Sequence, residues 1–157
     1  MSLLQIENLH LEIDQVGSRL SVLHGVNIAV DAGEIVALVG ETGSGKTLTA
    51  MSTVRLLPRG SRLRGRVFLD GRDIVSAEEK VVNQIRGRVV GAIFQQARAA
   101  LNPTRPVVQQ LADRYIDLKG MARRAAVAEA YSLLGRVGIP DPESRGNLYP
   151  RSEEHTS

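Results

Sequence analysis

The chain of 157 residues has no cysteine and no tryptophan. No disulfide framework and no thiolate metal site can form, which agrees with a reducing compartment. Lysine occurs only at Lys46, Lys80 and Lys119, so the net charge of +3 is carried mainly by arginine. The arginines are scattered, and no long basic run exists. That pattern reads as a solvated surface rather than a stripe for nucleic acid. Long hydrophobic runs are missing too. The longest clean one, Ile35 to Val39, is far too short to cross a bilayer. The opening "MSLLQIENLHLEI" lacks a basic segment followed by an apolar stretch, so no signal peptide is expected. These absences predict a cytoplasmic protein, free to sit against a membrane protein.

What is present suits one globular domain with a substantial core: 43% apolar and 24% charged residues. Alternating apolar and polar residues predict strands over Leu3 to Ile13 and Leu20 to Val30, and Asp31-Ala32-Gly33 makes a turn. "EIVALVG", Glu34 to Gly40, is continuously apolar, as a strand buried on both faces should be. Helix-favouring residues run from Lys46 to about Leu57 and stop at Pro58 and Gly60. Gly65 to Ile74 reads as a hairpin turning at Asp70-Gly71. Ser76, with Glu79 three residues on, predicts a capping box for a short helix reaching about Arg86. "RVVGAIF", Arg88 to Phe94, predicts a second buried strand. After Pro106, Val107, Leu111, Tyr115 and Leu118 share one helical face. A further amphipathic helix ends near Gly135 to Gly138. Strands come first and helices cluster last, so the chain is expected to be a mixed core followed by a helical part.

The segment Gly40-Glu41-Thr42-Gly43-Ser44-Gly45-Lys46-Thr47 satisfies G-x-x-x-x-G-K-[ST] between an expected strand and an expected helix start. Glycines there let the backbone take conformations closed to other residues and clear side chains from the phosphates. Loop N–H groups then converge on the anion, beside the positive end of a helix. Lys46 is suited to the β- and γ-phosphates, and the Thr47 hydroxyl to Mg²⁺, a hard cation that takes oxygen ligands. The motif predicts a nucleoside triphosphate ligand without separating kinase, GTPase, helicase or transporter ATPase. Other candidates have plainer readings. His10 and His24 have no partner at metal-ligand spacing, and Asp70 and Asp73 suit a turn. Arg123-Arg124 suits a solvated helix face, Tyr115 and Tyr131 suit helical core stripes, and Glu41 suits a loop surface.

A second landmark is "GAIFQQARAALNPTRPVVQQL", Gly91 to Leu111, where an expected strand ends at Phe94-Gln95. With "GETGSGKT", "IRGRVVGAIFQQ", "LNP" (Leu101 to Pro103) and "LLGRVGIPDPESRGNLYP" (Leu133 to Pro150), the stretch from Leu3 to Pro150 resembles the N-terminal half of an ABC transporter ATPase. More narrowly, it is similar to the ATPases of oligopeptide, dipeptide and nickel importers. The resemblance implies an α/β P-loop NTPase core: an N-terminal antiparallel β part plus an incomplete central sheet, then a helical subdomain. It implies a partial ATPase domain over 1–150, with a nucleotide-binding core over 1–95 and a Q-loop and helical subdomain over 96–150. ATP phosphates and Mg²⁺ would be held by Gly40, Gly43, Ser44, Gly45, Lys46 and Thr47. Gln95 matches the Q-loop glutamine, a contact to Mg²⁺ and the attacking water. Ile13 stands where family members often stack adenine on an aromatic ring, so adenine contact there would be apolar, weaker by about 1 kcal/mol.

The implied partners are permease transmembrane subunits, a second ATPase subunit and, indirectly, a solute-binding protein. The implied location is the inner face of the cell membrane, and the implied activity of the parent is ATP hydrolysis driving solute import. The family's Leu-Ser-Gly-Gly signature, Walker B strand, catalytic glutamate and switch histidine have no counterpart in these residues. His155 lies in nothing like that last motif. The chain alone is therefore expected to bind nucleotide weakly and not to hydrolyse it. The strands around Val36 and Val90 are expected to be partly uncovered, because the family's sheet takes strands from its other half. "RSEEHTS", Arg151 to Ser157, matches nothing in the family. It resembles the translated start of a common sequencing-library adapter and is expected to be no native part of the protein. Alternative readings are the ATPase of another ABC class, such as an export type, or a stand-alone small P-loop protein.

Overall fold

The computed structural model describes residues 2–94 and 100–150. The chain divides into two compact units, Met1–Val90 and Gly91–Ser157. The first is built on a four-stranded antiparallel sheet: β1 (Ser2–Gln15), β2 (Ser18–Asp31), β3 (Ser61–Leu69) and β4 (Arg72–Asp73), in the order β2-β1-β3-β4. Between β2 and β3 lies helix α1 (Lys46–Ser52), and α2 (Glu79–Ile85) follows β4.

The apolar alternation of β1 changes phase between Ile6 and Leu9, and the strand absorbs the extra residue in a bulge. Asn8 takes φ 46°, and the register against both neighbours shifts there. Ile6, Leu9 and Leu11 all reach the core as a result. The β3–β4 turn falls at Asp70-Gly71, with φ 49° and 73°, the positive values a two-residue hairpin turn requires. Leu23, Val67, Leu69, Ile74, Val82 and Ile85 complete the buried cluster, with Leu48 of α1 packed against it. Arg86 ties α2 to the end of α1: its Nε donates to the Val54 carbonyl at 2.8 Å and its Nη2 to the Arg55 carbonyl at 3.0 Å.

Two expected strands are not formed in this structure. Residues 34–40 and 91–94 have no ladder pairing, and the 88–94 segment makes only an isolated bridge from Arg86 to Val90. Ile35 is 97% exposed and Ile93 99%. Both segments have the composition of buried strands, yet the four strands take their partners from one another, and none among the described residues flanks these segments. Without a neighbour the backbone groups have no ladder and the side chains no cover. The expected capping box is also replaced. Ser76 Oγ donates to Asp73 Oδ2 at 2.7 Å, and Glu78 stands at the N-cap of α2 without a side-chain cap bond.

The second unit holds α3 (Val107–Lys119), α4 (Arg123–Arg136) and the short α5 (Pro142–Gly146). Gly120, at φ 65°, ends α3 in the left-handed conformation that lets α4 turn back. Val108 and Ala112 of α3 are buried with Ala126 and Ala130 of α4, and Leu111, Tyr115, Ile116, Val127 and Tyr131 pack around them. Gln110 pins the preceding loop, donating to the carbonyls of Asn102 and Arg105 and accepting from the Asn102 N–H. Among the described residues, no helix is long and apolar enough to cross a membrane.

Candidate phosphate-binding site

The loop between residues 40 and 47 closes on itself through Lys46. Its ammonium donates to the Gly40 carbonyl at 2.7 Å, the Glu41 carbonyl at 2.7 Å and Ser44 Oγ at 3.3 Å. A single cation thus gathers both ends of the loop around the place where the motif would hold an anion. The Ser44 N–H donates to the Glu41 carbonyl at 3.2 Å and tightens the turn. At Gly40 a Cβ would lie 2.9 Å from Ser44 Oγ, so a larger residue there would have to displace the Ser44 hydroxyl.

Gly45 forms the joint between loop and helix. It is the N-cap of α1 with φ 89°, and its carbonyl accepts from the Thr49 N–H at 2.8 Å and from Thr49 Oγ1 at 3.0 Å. Thr49 is buried and so is Ser52, whose hydroxyl donates to the Leu48 carbonyl at 2.7 Å. Satisfied internally, these hydroxyls let α1 lie against apolar neighbours without stranded polar groups. Sequence reasoning does not single out Thr49; its position four residues past the last glycine of the motif is the available signal.

The loop residues Gly40, Ser44, Lys46 and, through its connection to α1, Gly45 come together in one place. Thr47 is exposed on the first turn of α1, and among the described residues its hydroxyl has no hydrogen bond. Its oxygen is a donor of the hard type that Mg²⁺ takes. Among the described residues no group of three or more His, Asp or Glu side chains gathers as a metal cage. A magnesium ion here would count phosphate oxygens and water among its ligands, its usual habit beside nucleotides. Gln95 lies outside the described residues. Ile13 lies on β1 opposite Leu20 and Ser61 and packs against the core cluster. It stands one same-face step, about 7 Å, along β1 from Leu11, which pairs with Leu23.

His10 and His24 are opposite one another in the sheet register. Each has a local polar partner: Asn8 Oδ1 at 3.0 Å for His10 and Ser21 Oγ at 3.3 Å for His24. On the same strand pair, the hydrogen bond to Asp14 raises the Arg19 guanidinium above its ordinary pKa, reinforced by the Asp14 charge. These groups decorate the sheet and are not part of the loop.

Comparison with known proteins adds a family and a fold. A family model described as ABC transporter matches residues 23–152. The chain is 37% identical over 150 residues to the oligopeptide transport ATP-binding protein OppD of Bacillus subtilis (strain 168), covering 94% of this chain and 42% of that protein. It is 42% identical over 149 residues to the probable D,D-dipeptide transport ATP-binding protein DdpD of Escherichia coli (strain K12), covering 94% and 45%. The chain thus spans less than half the length of these curated relatives. Its fold matches that of a bacterial ABC transporter cassette solved as a dimer, with a TM-score of 0.78 and 20% identity over 96% of this chain and 63% of that one. A dimeric ATP-binding cassette in a post-hydrolysis state, bound to ADP and Pi, gives a TM-score of 0.75 at 19% identity over 94% and 61%.

Proposed function

The chain belongs to the ABC transporter family, and on that premise we propose that it is the ATP-binding part of an ATPase powering membrane import of peptides or similar solutes. The observation that carries the proposal is the closed loop of residues 40–47, with Lys46 at its centre. Lys46 leaves the carbonyls of Gly40 and Glu41 to meet the β- and γ-phosphates, exchanging neutral acceptors for charged ones, a stronger hydrogen bond. Loop N–H groups hold the phosphates, and the Thr47 hydroxyl contributes one oxygen to Mg²⁺, as Gln95 would from the adjoining segment. Mg²⁺ supplies neutralisation of phosphate charge when bound. Ile13 offers adenine an apolar contact in place of a stacked ring.

The division of labour follows the family: residues 1–95 as the nucleotide-binding core and 96–150 as the Q-loop and helical subdomain. Permease subunits, a second ATPase subunit and an indirectly coupled solute-binding protein are the partners, at the inner face of the cell membrane. The relatives named as peptide transport ATP-binding proteins support the importer class. By itself the chain binds nucleotide weakly and does not turn it over, since the described site brings no general base to the loop. Segments 34–40 and 88–94 take strand partners in the assembled ATPase, which covers their apolar side chains.

Equilibrium titration of the 157-residue chain with a fluorescent ATP analogue and Mg²⁺ tests the reading. Lys46→Ala is expected to weaken binding at least about tenfold, the scale of a lost charge-assisted pair. Equal binding by Lys46→Ala and the original chain would overturn the site. A steady-state phosphate-release assay is expected to show no turnover above the Lys46→Ala background. Robust turnover abolished by Lys46→Ala would instead favour a stand-alone P-loop enzyme.

A further inference from the structure

The phosphate loop meets the antiparallel sheet at Gly45. A Cβ built on Gly45 would lie 2.6 Å from Leu23 Cδ2, and the Val22 carbonyl oxygen would be 3.6 Å away. Leu23 is 2% exposed on β2, paired with Leu11 of β1 and held within the buried cluster. Its methyl group cannot swing aside without displacing packed neighbours. Gly45 is the hinge of the site: its φ of 89° turns the loop into α1, and its carbonyl takes both Thr49 bonds. Leu48, on the same turn of α1, packs against the cluster that contains Leu23.

We infer that Leu23 is a positioning residue for the phosphate loop, its side chain serving as the seat that sets the height and tilt of Gly45 and hence the aim of the loop N–H groups and Lys46. The inference rests on residues 40–47 being the phosphate site. Gly45 is then required twice over. The positive φ disfavours any other residue, and the Leu23 methyl group excludes even a Cβ. Only the second requirement depends on β2, so the two can be separated by changing Leu23.

A double-mutant cycle separates them. Leu23→Val withdraws the Cδ atoms and puts an apolar, β-branched residue that suits a strand in their place. Gly45→Ala introduces the colliding Cβ. Leu9→Val removes the same amount of core from β1 and serves as the control, because Leu9 pairs with Val26 and is not among the atoms around Gly45. Two readouts are taken on the full chain: affinity for the fluorescent ATP analogue with Mg²⁺, and the backbone amide NMR signals of residues 43–47 without nucleotide. Leu23→Val is expected to weaken binding about threefold and to move the loop amide signals, whereas Leu9→Val should do neither despite similar thermal destabilisation. Gly45→Ala should weaken binding more than about tenfold, and adding Leu23→Val should restore about fivefold of that loss. Additive effects, or loop amide signals that move equally in the Leu9→Val control, would overturn the inference. Loss of the Lys46→Ala effect would instead remove the phosphate-site reading, and the amide signals would still report whether Leu23 seats the loop.

Discussion

The two units of the chain bury different kinds of side chain. The sheet unit fills its core with large branched residues: Leu9, Leu11, Val67, Ile74, Val82 and Ile85 are all buried to within 1% exposure. The helical unit centres on Val108 and three alanines, Ala112, Ala126 and Ala130, also at most 2% exposed. A sheet and the helices on it stand far enough apart to need long side chains between them. Two helices approach closely only where both present small residues, and the larger ones then pack around the contact. Volume holds the first unit together and proximity holds the second. Opposite substitutions should therefore harm them.

The largest effect is expected from Leu11→Ala in the sheet unit. Truncating a fully buried leucine should cost ~2–5 kcal/mol, read as a lower urea midpoint. A loss below ~1 kcal/mol would mean that the sheet core closes over the gap, and the contrast between the units would weaken. Next comes Ala130→Leu in the helical unit, where added volume should cost ~1–3 kcal/mol by forcing α3 and α4 apart. If this variant melts at a higher temperature than the original, the alanine contact is loose and the contrast fails. Gly71→Ala, in the hairpin turn of the sheet unit, meets no neighbour within 4 Å. Only the positive φ is at stake, so a loss of ~1 kcal/mol in chemical denaturation is expected. The smallest effect belongs to Arg123→Ala. Arg123 lies 3.7 Å from Asp113, which Arg105 already engages at 2.6 Å, and its side chain is 61% exposed. A change of at most ~0.5 kcal/mol is expected, shrinking further in salt.

Much of this architecture was legible in the chain because its signals are local. The Asp70-Gly71 turn, the ends of α3 and α4 and the first two strands each depend on a few adjacent residues. The face of α3 that the large residues mark flanks the helix contact, with Leu111 and Tyr115 packed against it. Val107, Leu111, Tyr115 and Leu118 look like the core stripe by size, but the centre of the contact is Val108 and Ala112. Hydrophobic size identifies what flanks a helix contact better than what lies at its closest approach. Ser76 shows a different limit: its hydroxyl had two possible partners in the turn, and the Asp73 carboxylate took it from the helix cap.

At the candidate site, residue types could be read directly, since G-x-x-x-x-G-K-[ST] places glycines, a lysine and a hydroxyl where phosphate chemistry calls for them. What seats the loop could not, because Leu23 lies far from Gly45 along the chain and looks like any other core leucine.

The apolar runs at 34–40 and 88–94 draw the same line. Composition alone determined that these segments suit burial in a sheet. Whether they are buried was decided by tertiary structure, which gives β1 to β4 partners and leaves Ile35 and Ile93 in solvent. The physical reason is that conformational preference belongs to a residue and its neighbours in sequence. Hydrogen-bond partners, cover and close approach belong to atoms that only folding brings together.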